Sequence, residues 1–330
     1  MKRCFPSDFS VFDVCSDDDF RVKAMELFHH QREHNAVYKA FIAHLKRDVS
    51  KIQQPEEIPF LPVEVFKSHT VATGDFEADL VFASSSTTGQ TPSLHHVADA
   101  SLYVESFVRG FKRFYGEPSE YTLLALLPGY LERSNASLVY MVNELVKQSN
   151  DERSGFYLHH HARLAGVINA LPQNRKVLLF GVTHALLDFA DDHALNHPLL
   201  TVLETGGMKG RREELTRDAV HARLQTAFNG ASIHSEYGMT ELLSQAYADD
   251  SQRFTCQPWM RVLIRESDDP FAIAETGKTG RIQVIDLANQ HSCAFLATGD
   301  MGRMFSDGRF EVVGRFDHAE VRGCSLMIDS

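Results

Sequence analysis

The chain lacks most of the features that would settle its class at a glance. Its five cysteines, at 4, 15, 256, 293 and 324, are odd in number and scattered. They build no disulfide framework and read as the reduced thiols of a cytoplasmic protein. No apolar stretch approaches the length of a membrane span, and the basic pair Lys2-Arg3 has no apolar run behind it. Neither integral membrane association nor a secretory leader is therefore expected. Basic residues are in deficit, 33 Lys and Arg against 44 Asp and Glu. The net charge of −11 argues against nucleic-acid binding, which depends on cations neutralising phosphates. There is no internal repeat, and His159-His160-His161 has no Cys or carboxylate at metal-ligand spacing. The Gly-Lys-Ser/Thr ending of a Walker loop is missing as well.

What remains is a folded, aromatic-rich chain. Hydrophobic residues make up 43% of its 330 positions, 23 of them Phe, enough to bury a sizeable core. Phe20 to Asp48 carries good helix formers with Val22, Met25, Phe28, Val37, Phe41 and Leu45 at helical spacing. Pro55, Pro59 and Pro62 then punctuate an irregular passage. Apolar runs at Tyr121–Leu127, Lys176–Val182 and Leu199–Glu204 predict strands buried on both faces of a largely parallel sheet. Helical stretches lie between them, with Leu102, Phe107, Phe111 and Phe114 on one face of the first and Glu213 to Phe228 forming another. Arg261–Arg265 and Arg281–Leu287 read as strands, and Asp307-Gly308 as a tight hairpin turn. The expected organisation is α/β: a helical segment over 1–75, a nucleotide-binding core over 76–250, and a small β-rich lobe over 251–330.

Five spots carry chemistry. The first is Ser84-Ser85-Ser86-Thr87-Thr88-Gly89, where an apolar strand end gives way to five hydroxyls and a glycine. Such a loop can wrap a polyphosphate with backbone N–H groups and hydroxyls, although the composition alone equally suits a surface loop. The second is Ser235-Glu236-Tyr237-Gly238-Met239-Thr240-Glu241, delivered by a short strand over Ala231–His234. Glu241 could hold Mg²⁺ on phosphate oxygens, Thr240 could donate to a phosphate, and Tyr237 offers a flat face to a base; a solvated helix start is the alternative. The third is Glu204-Thr205-Gly206-Gly207-Met208-Lys209, whose paired glycines follow a strand and would let a ligand approach the backbone. Thr298-Gly299-Asp300 offers a carboxylate to a ribose, or is a common Gly-Asp turn. Gly314-Arg315-Phe316-Asp317 closes the series, with a surface ion-pair turn as its alternative.

Taken in order, these motifs resemble the adenylate-forming superfamily of acyl-CoA synthetases, peptide-synthetase adenylation domains and luciferases. Within it, Thr205 to Arg211, His234 to Leu242 and Pro128 to Arg133 resemble the LuxE-type acyl-protein synthetases of bacterial bioluminescence, from about residue 20 onward. The resemblance implies sheets with flanking helices like those of the superfamily's large domain, ATP and Mg²⁺ as cofactors, and a carboxylic, fatty acid substrate. It places the ATP phosphates on Ser84 to Gly89 and the adenine against Gly206, Gly207, Met208, Glu236, Tyr237 and Gly238. Thr240 would touch the α-phosphate, Glu241 would bind Mg²⁺, and Asp300 would hold the ribose with Arg315 nearby.

Two departures stand out. The superfamily's phosphate loop usually ends in Lys, whereas Ser93 follows Pro92 here. The sequence also ends at Ser330, shortly after the hinge-like Gly314–Gly323, so no mobile C-terminal catalytic domain is expected. Lys209 is a possible substitute cation. Cys324, beside Arg322, matches the cysteine near the carboxy terminus that carries the acyl group in the LuxE-type family, which implies a thioester and an acyl-acceptor partner protein. Cys4, Cys15, Cys256 and Cys293 read as structural. His95-His96 lies close enough to the loop to contact substrate or pyrophosphate.

Overall fold

A computed structural model describes residues 10–85, 91–129, 132–206 and 215–315. The first helix, α1 (Asp17–His34), is capped by Ser16, whose side chain accepts from the Asp19 N–H, and begins with three aspartates that favour a helix N-terminus. The helical pattern read across Phe20 to Asp48 is broken at Asn35, which caps α2 (Ala36–His44) by accepting from the Tyr38 N–H at 2.9 Å. The same side chain donates to the Ser292 carbonyl (3.0 Å), and Gln31 donates to the Asn289 carbonyl (2.9 Å). Both helices are thus pinned to a segment more than 250 residues away. After the proline passage, β1 (Leu61–Pro62) pairs with a later strand, and β2 (Leu80–Ala83) and β3 (Leu94–Val97) form a separate antiparallel hairpin.

The centre is wound as the apolar runs predict. It comprises α3 (Ala100–Tyr115), β4 (Tyr121–Leu126), α4 (Ser137–Ser149), β5 (Gly155–Phe156), α5 (His161–Ala170), β6 (Lys176–Val182), α6 (Thr183–Asp192), β7 (Leu200–Thr205), α7 (Arg217–Ala227) and β8 (Ser232–Tyr237). β5, β4, β6, β7 and β8 lie side by side in parallel. Every residue of β4 is buried, as expected where helices cover both faces. On one face α5, α6 and α7 pack through Leu164, Leu186, Phe189 and Leu224. On the other, α3 and α4 bring Tyr103, Phe107, Phe111, Met141 and Leu145. Phe107 and Phe111 are core residues, whereas Leu102 and Phe114 are only half-buried.

Beyond β8 the chain turns antiparallel without leaving the sheet. β9 (Ala246–Ala248), β10 (Phe254–Thr255), β11 (Met260–Arg265), β12 (Thr279–Asp286), β13 (Phe295–Met304) and β14 (Phe310–Arg315) extend it in the order β8-β9-β10-β14-β13-β12-β11. The β13–β14 hairpin turns at Gly308, whose φ of 77° is one that glycine adopts at no steric cost. Two readings need correction here. Asp300 lies within β13, opposite Arg315 of β14, and not in a turn. The strand read as Ala231–His234 runs on to Tyr237, so Glu236 and Tyr237 are strand residues. Among the described residues no helix is long and apolar enough to cross a membrane.

Candidate functional site

The candidate site lies where β7 and β8 end, against β13 and the mouth of the β2–β3 hairpin. At the end of β7, Gly206 takes φ 70° and Thr183 of α6 holds it. The Thr183 hydroxyl lies within hydrogen-bond reach of the Gly206 carbonyl and of Glu204 Oε2, the latter at 2.7 Å. The Ser235 hydroxyl sits 2.7 Å from Glu204 Oε1, so one buried carboxylate links the ends of both strands. The alternation of strand side chains sends their neighbours, Thr205 and Glu236, to the opposite face, where Thr205 donates to Glu236. Burial pushes the Glu236 carboxyl up to about 7 against the pull of the Thr205 hydrogen bond, and the nearby Glu204 charge adds to the rise. A Cβ on residue 238 would fall against that carboxyl and oblige it to shift.

Tyr237 is packed edge-on against Phe310 and Phe254, at centroid distances of 5.6 and 5.9 Å. Its hydroxyl donates to Asp300 Oδ2 at 3.0 Å, and Arg315 Nε donates to Asp300 Oδ1 at 3.3 Å. Three motifs read separately thus meet at one carboxylate. Both Asp300 oxygens are oriented by partners on different strands, which fixes the group before any ligand arrives.

On the other side, Ser84 and Ser93 close the neck of the Ser/Thr loop. The Ser84 N–H donates to the Ser93 carbonyl (3.0 Å), and the Ser93 N–H donates to Ser84 Oγ (2.9 Å). Ser85 is exposed; Ser86, Thr87, Thr88 and Gly89 lie outside the described residues, as do Gly207, Met208, Lys209 and Cys324. Ser93, the residue in place of the expected lysine, is 3% exposed and its hydroxyl donates to Glu241. Glu241 is itself buried, and that burial holds its carboxyl above the ordinary glutamate range; the Ser93 bond opposes the rise and the charge of Glu64 adds to it. Among the described residues no Lys, Arg or His forms an ion pair with Glu241.

A divalent cation fits this carboxyl. It is buried, forms no ion pair among the described residues, feels the Arg315 charge only at longer range, and adjoins the loop suited to phosphates. Those residues hold no group of three or more His, Cys, Asp or Glu that could cage a metal. Magnesium needs no such cage, since it commonly takes one or two carboxylates and fills its shell with water and phosphate oxygens.

Several residues at the site carried no local sequence signal. Thr183 sits at the first position of α6 and Ser93 in a short polar run; Asn289 and Asp286 act through backbone groups far away in sequence. The histidine pair beside the loop separates: His95 is 1% exposed and turned into the protein, so it offers nothing directly to substrate. Cys293 is buried and Cys256 half-buried, and desolvation pushes both thiols up to about 12, which agrees with their structural reading.

Comparison with known proteins is consistent with this geometry. The solved structures that match include ATP-bound MatB from Rhodopseudomonas palustris, at 16% identity and TM-score 0.52, over 74% of this chain and 50% of that one. A 2-hydroxyisobutyryl-CoA ligase in complex with 2-HIB-AMP and CoA matches at 14% identity and TM-score 0.68, over 95% of this chain and 75% of that one. MenE from Bacillus subtilis, in complex with ATP and magnesium ion, matches at 15% identity and TM-score 0.52, over 74% and 53% of the two chains. The chain spans about half the length of MatB, and at these identities the likeness establishes the fold: that of the large domain of adenylate-forming ligases. No curated protein matches the sequence. The family of acyl-protein synthetases, LuxE, matches residues 17–330. With nearly the whole chain covered, this protein belongs to the LuxE acyl-protein synthetase family.

Proposed function

We propose that the protein binds ATP along the edge formed by β7, β8 and β13 and activates a carboxylic acid as an acyl-adenylate. The observation that supports this most directly is the meeting of Tyr237, Asp300 and Arg315, three motif residues spread over the second half of the chain. In this reading the Asp300 carboxylate accepts the ribose hydroxyls, and the adenine lies between the Gly206–Met208 loop and the Glu236-Tyr237-Gly238 strand end. The loop from Ser84 to Gly89 wraps the phosphates. Thr240 donates to the α-phosphate, and Glu241 holds Mg²⁺, which supplies charge neutralisation on the phosphate oxygens. A carboxylate oxygen of the acid attacks the α-phosphorus, the bond to the β-phosphate bridging oxygen breaks, and pyrophosphate leaves with the electron pair. No side chain needs to move a proton in this step, so catalysis rests on positioning and electrostatic stabilisation.

The family supports a fatty acid as substrate and a protein as the final acceptor. Cys324 would then attack the acyl-adenylate, forming a thioester and releasing AMP, before the acyl group passes to the partner. Lys209 is the candidate for the cation that the phosphate loop lacks.

Carboxylate-dependent ATP–pyrophosphate exchange, measured over acids of increasing chain length, tests the first half. Exchange should rise with chain length; its absence with every acid would leave a nucleotide-binding protein without this activity. In Cys324→Ser, covalent labelling by radioactive acid should vanish while exchange persists. Acyl transfer to acceptor at the wild-type rate in that variant would remove the cysteine from the mechanism. Thioester formation that needed coenzyme A would instead point to a CoA ligase.

A further inference from the structure

We propose that His95 is a positioning residue that locks the phosphate-loop hairpin to the segment carrying Thr240 and Glu241. The inference rests on the adenylation reading for its consequence, though the contact itself stands on geometry. His95 lies on β3, opposite Phe82 of β2 and two residues beyond Ser93. Its Nδ1 is 2.8 Å from the Thr240 carbonyl, 145 residues away in sequence. A carbonyl only accepts, so Nδ1 carries the proton and donates. The ring meets the edge of Phe66 at 5.8 Å and is 1% exposed. Burial drives the imidazole down to about 4, so the ring stays neutral and keeps this tautomer across the working pH range.

The next carbonyl along is held too. Asn289, in the connection between β12 and β13, donates to the Glu241 carbonyl at 2.6 Å. Two adjacent peptide carbonyls are therefore fixed by two buried side chains from distant parts of the chain. Meanwhile Ser93, the residue just before β3, grips the Glu241 carboxyl two positions ahead of His95. A shift of the loop neck would move Ser93, His95, Thr240 and Glu241 together. Loop position and metal-carboxylate position become one variable, in the way partners behind a metal ligand set its orientation.

The test uses His95→Leu, which removes the donor, and His95→Asn, whose amide places an N–H near Nδ1. Backbone hydrogen exchange over residues 239–245 reads the clamp without any assay of activity. It should speed up in His95→Leu and stay near wild type in His95→Asn. The Mg²⁺ concentration for half-maximal pyrophosphate exchange should rise about tenfold or more in His95→Leu, the range seen when such supporting partners are lost. The KM for the acid should change less than about twofold, and His95→Asn should recover most of the Mg²⁺ response. Unchanged hydrogen exchange in His95→Leu would overturn the clamp. Faster hydrogen exchange with an unchanged Mg²⁺ response would overturn the coupling. If the wild-type protein shows no pyrophosphate exchange with any acid, the adenylation reading fails, and the hydrogen-exchange measurement still decides the clamp.

Discussion

Glu241→Gln is expected to lower carboxylate-dependent pyrophosphate exchange by about 10²–10³-fold, the usual cost of losing one charge-stabilising group from a phosphoryl or acyl transition state. Gln keeps the shape and a hydrogen-bond acceptor for Ser93 but cannot neutralise a divalent cation. The same substitution should make the protein without ligand more stable, which separates this loss from unfolding. The sign follows from burial: Glu241 titrates above its unfolded value of 4.5, chiefly because the charged form is desolvated. Its contribution to stability is therefore full below about 4.5 and is lost as pH rises through the folded value. A neutral amide escapes that cost, so Glu241→Gln should melt higher than wild type at neutral pH. In the wild-type enzyme the acid limb of the exchange profile should lie above the ordinary glutamate range. It should move to lower pH as Mg²⁺ is raised, because the metal competes with the proton for one carboxylate. An acid limb that ignores Mg²⁺ would take the metal away from Glu241.

How much of this was legible in the sequence depends on how local each signal is. The buried parallel strands announce themselves because a strand covered on both faces carries an apolar run through its centre, as Leu123–Leu126 of β4, Val177–Phe180 of β6 and Val202–Leu203 of β7 do. β3 gives no such signal: Leu94-His95-His96-Val97 is short, and its outward face carries a polar residue and an exposed leucine. Asn35 hides the α1–α2 break, since its capping role shows only once the helix has turned toward Thr73 and Ser292. The site divides in the same way. Tyr237, Glu241, Asp300 and Arg315 stand in recognisable motifs, but nothing in the sequence says that a tyrosine hydroxyl will find an aspartate 63 residues later. His95, Asn289 and Asp286 are harder still. They work by bonding main-chain groups, which every residue has, so no pattern of side chains marks their partners.

Asp286 should therefore matter more to stability than its place at the end of an ordinary strand suggests. It is fully buried with no cation beside it among the described residues, and four donors converge on it. The N–H groups of Leu243 (2.8 Å) and Ser244 (3.0 Å) reach one oxygen; the Ser244 hydroxyl (2.6 Å) and the Ala288 N–H (3.2 Å) reach the other. The Ser244 hydroxyl also sits 3.0 Å from Trp259 Nε1, which extends the network to Ser106 on α3. Asp286→Ala would leave three backbone N–H groups buried and unpaired. At about 1–3 kcal/mol for each such group, partly relieved by relaxation, the loss of unfolding free energy in urea should be on the order of 4 kcal/mol. Asp286→Asn should lose less, about 1–2 kcal/mol, because its amide oxygen still accepts two of the donors. The gap between Asp286→Asn and wild type should also narrow as pH rises. Burial raises the Asp286 carboxyl above 3.8 despite its hydrogen bonds, so wild type alone gives up stability on ionising. Because Leu243 and Ser244 lie two and three residues beyond Glu241, a milder variant that still folds should need more Mg²⁺ for exchange. If Asp286→Ala were as stable as wild type, those N–H groups would have other acceptors, and the Glu241 segment would not owe its position to β12.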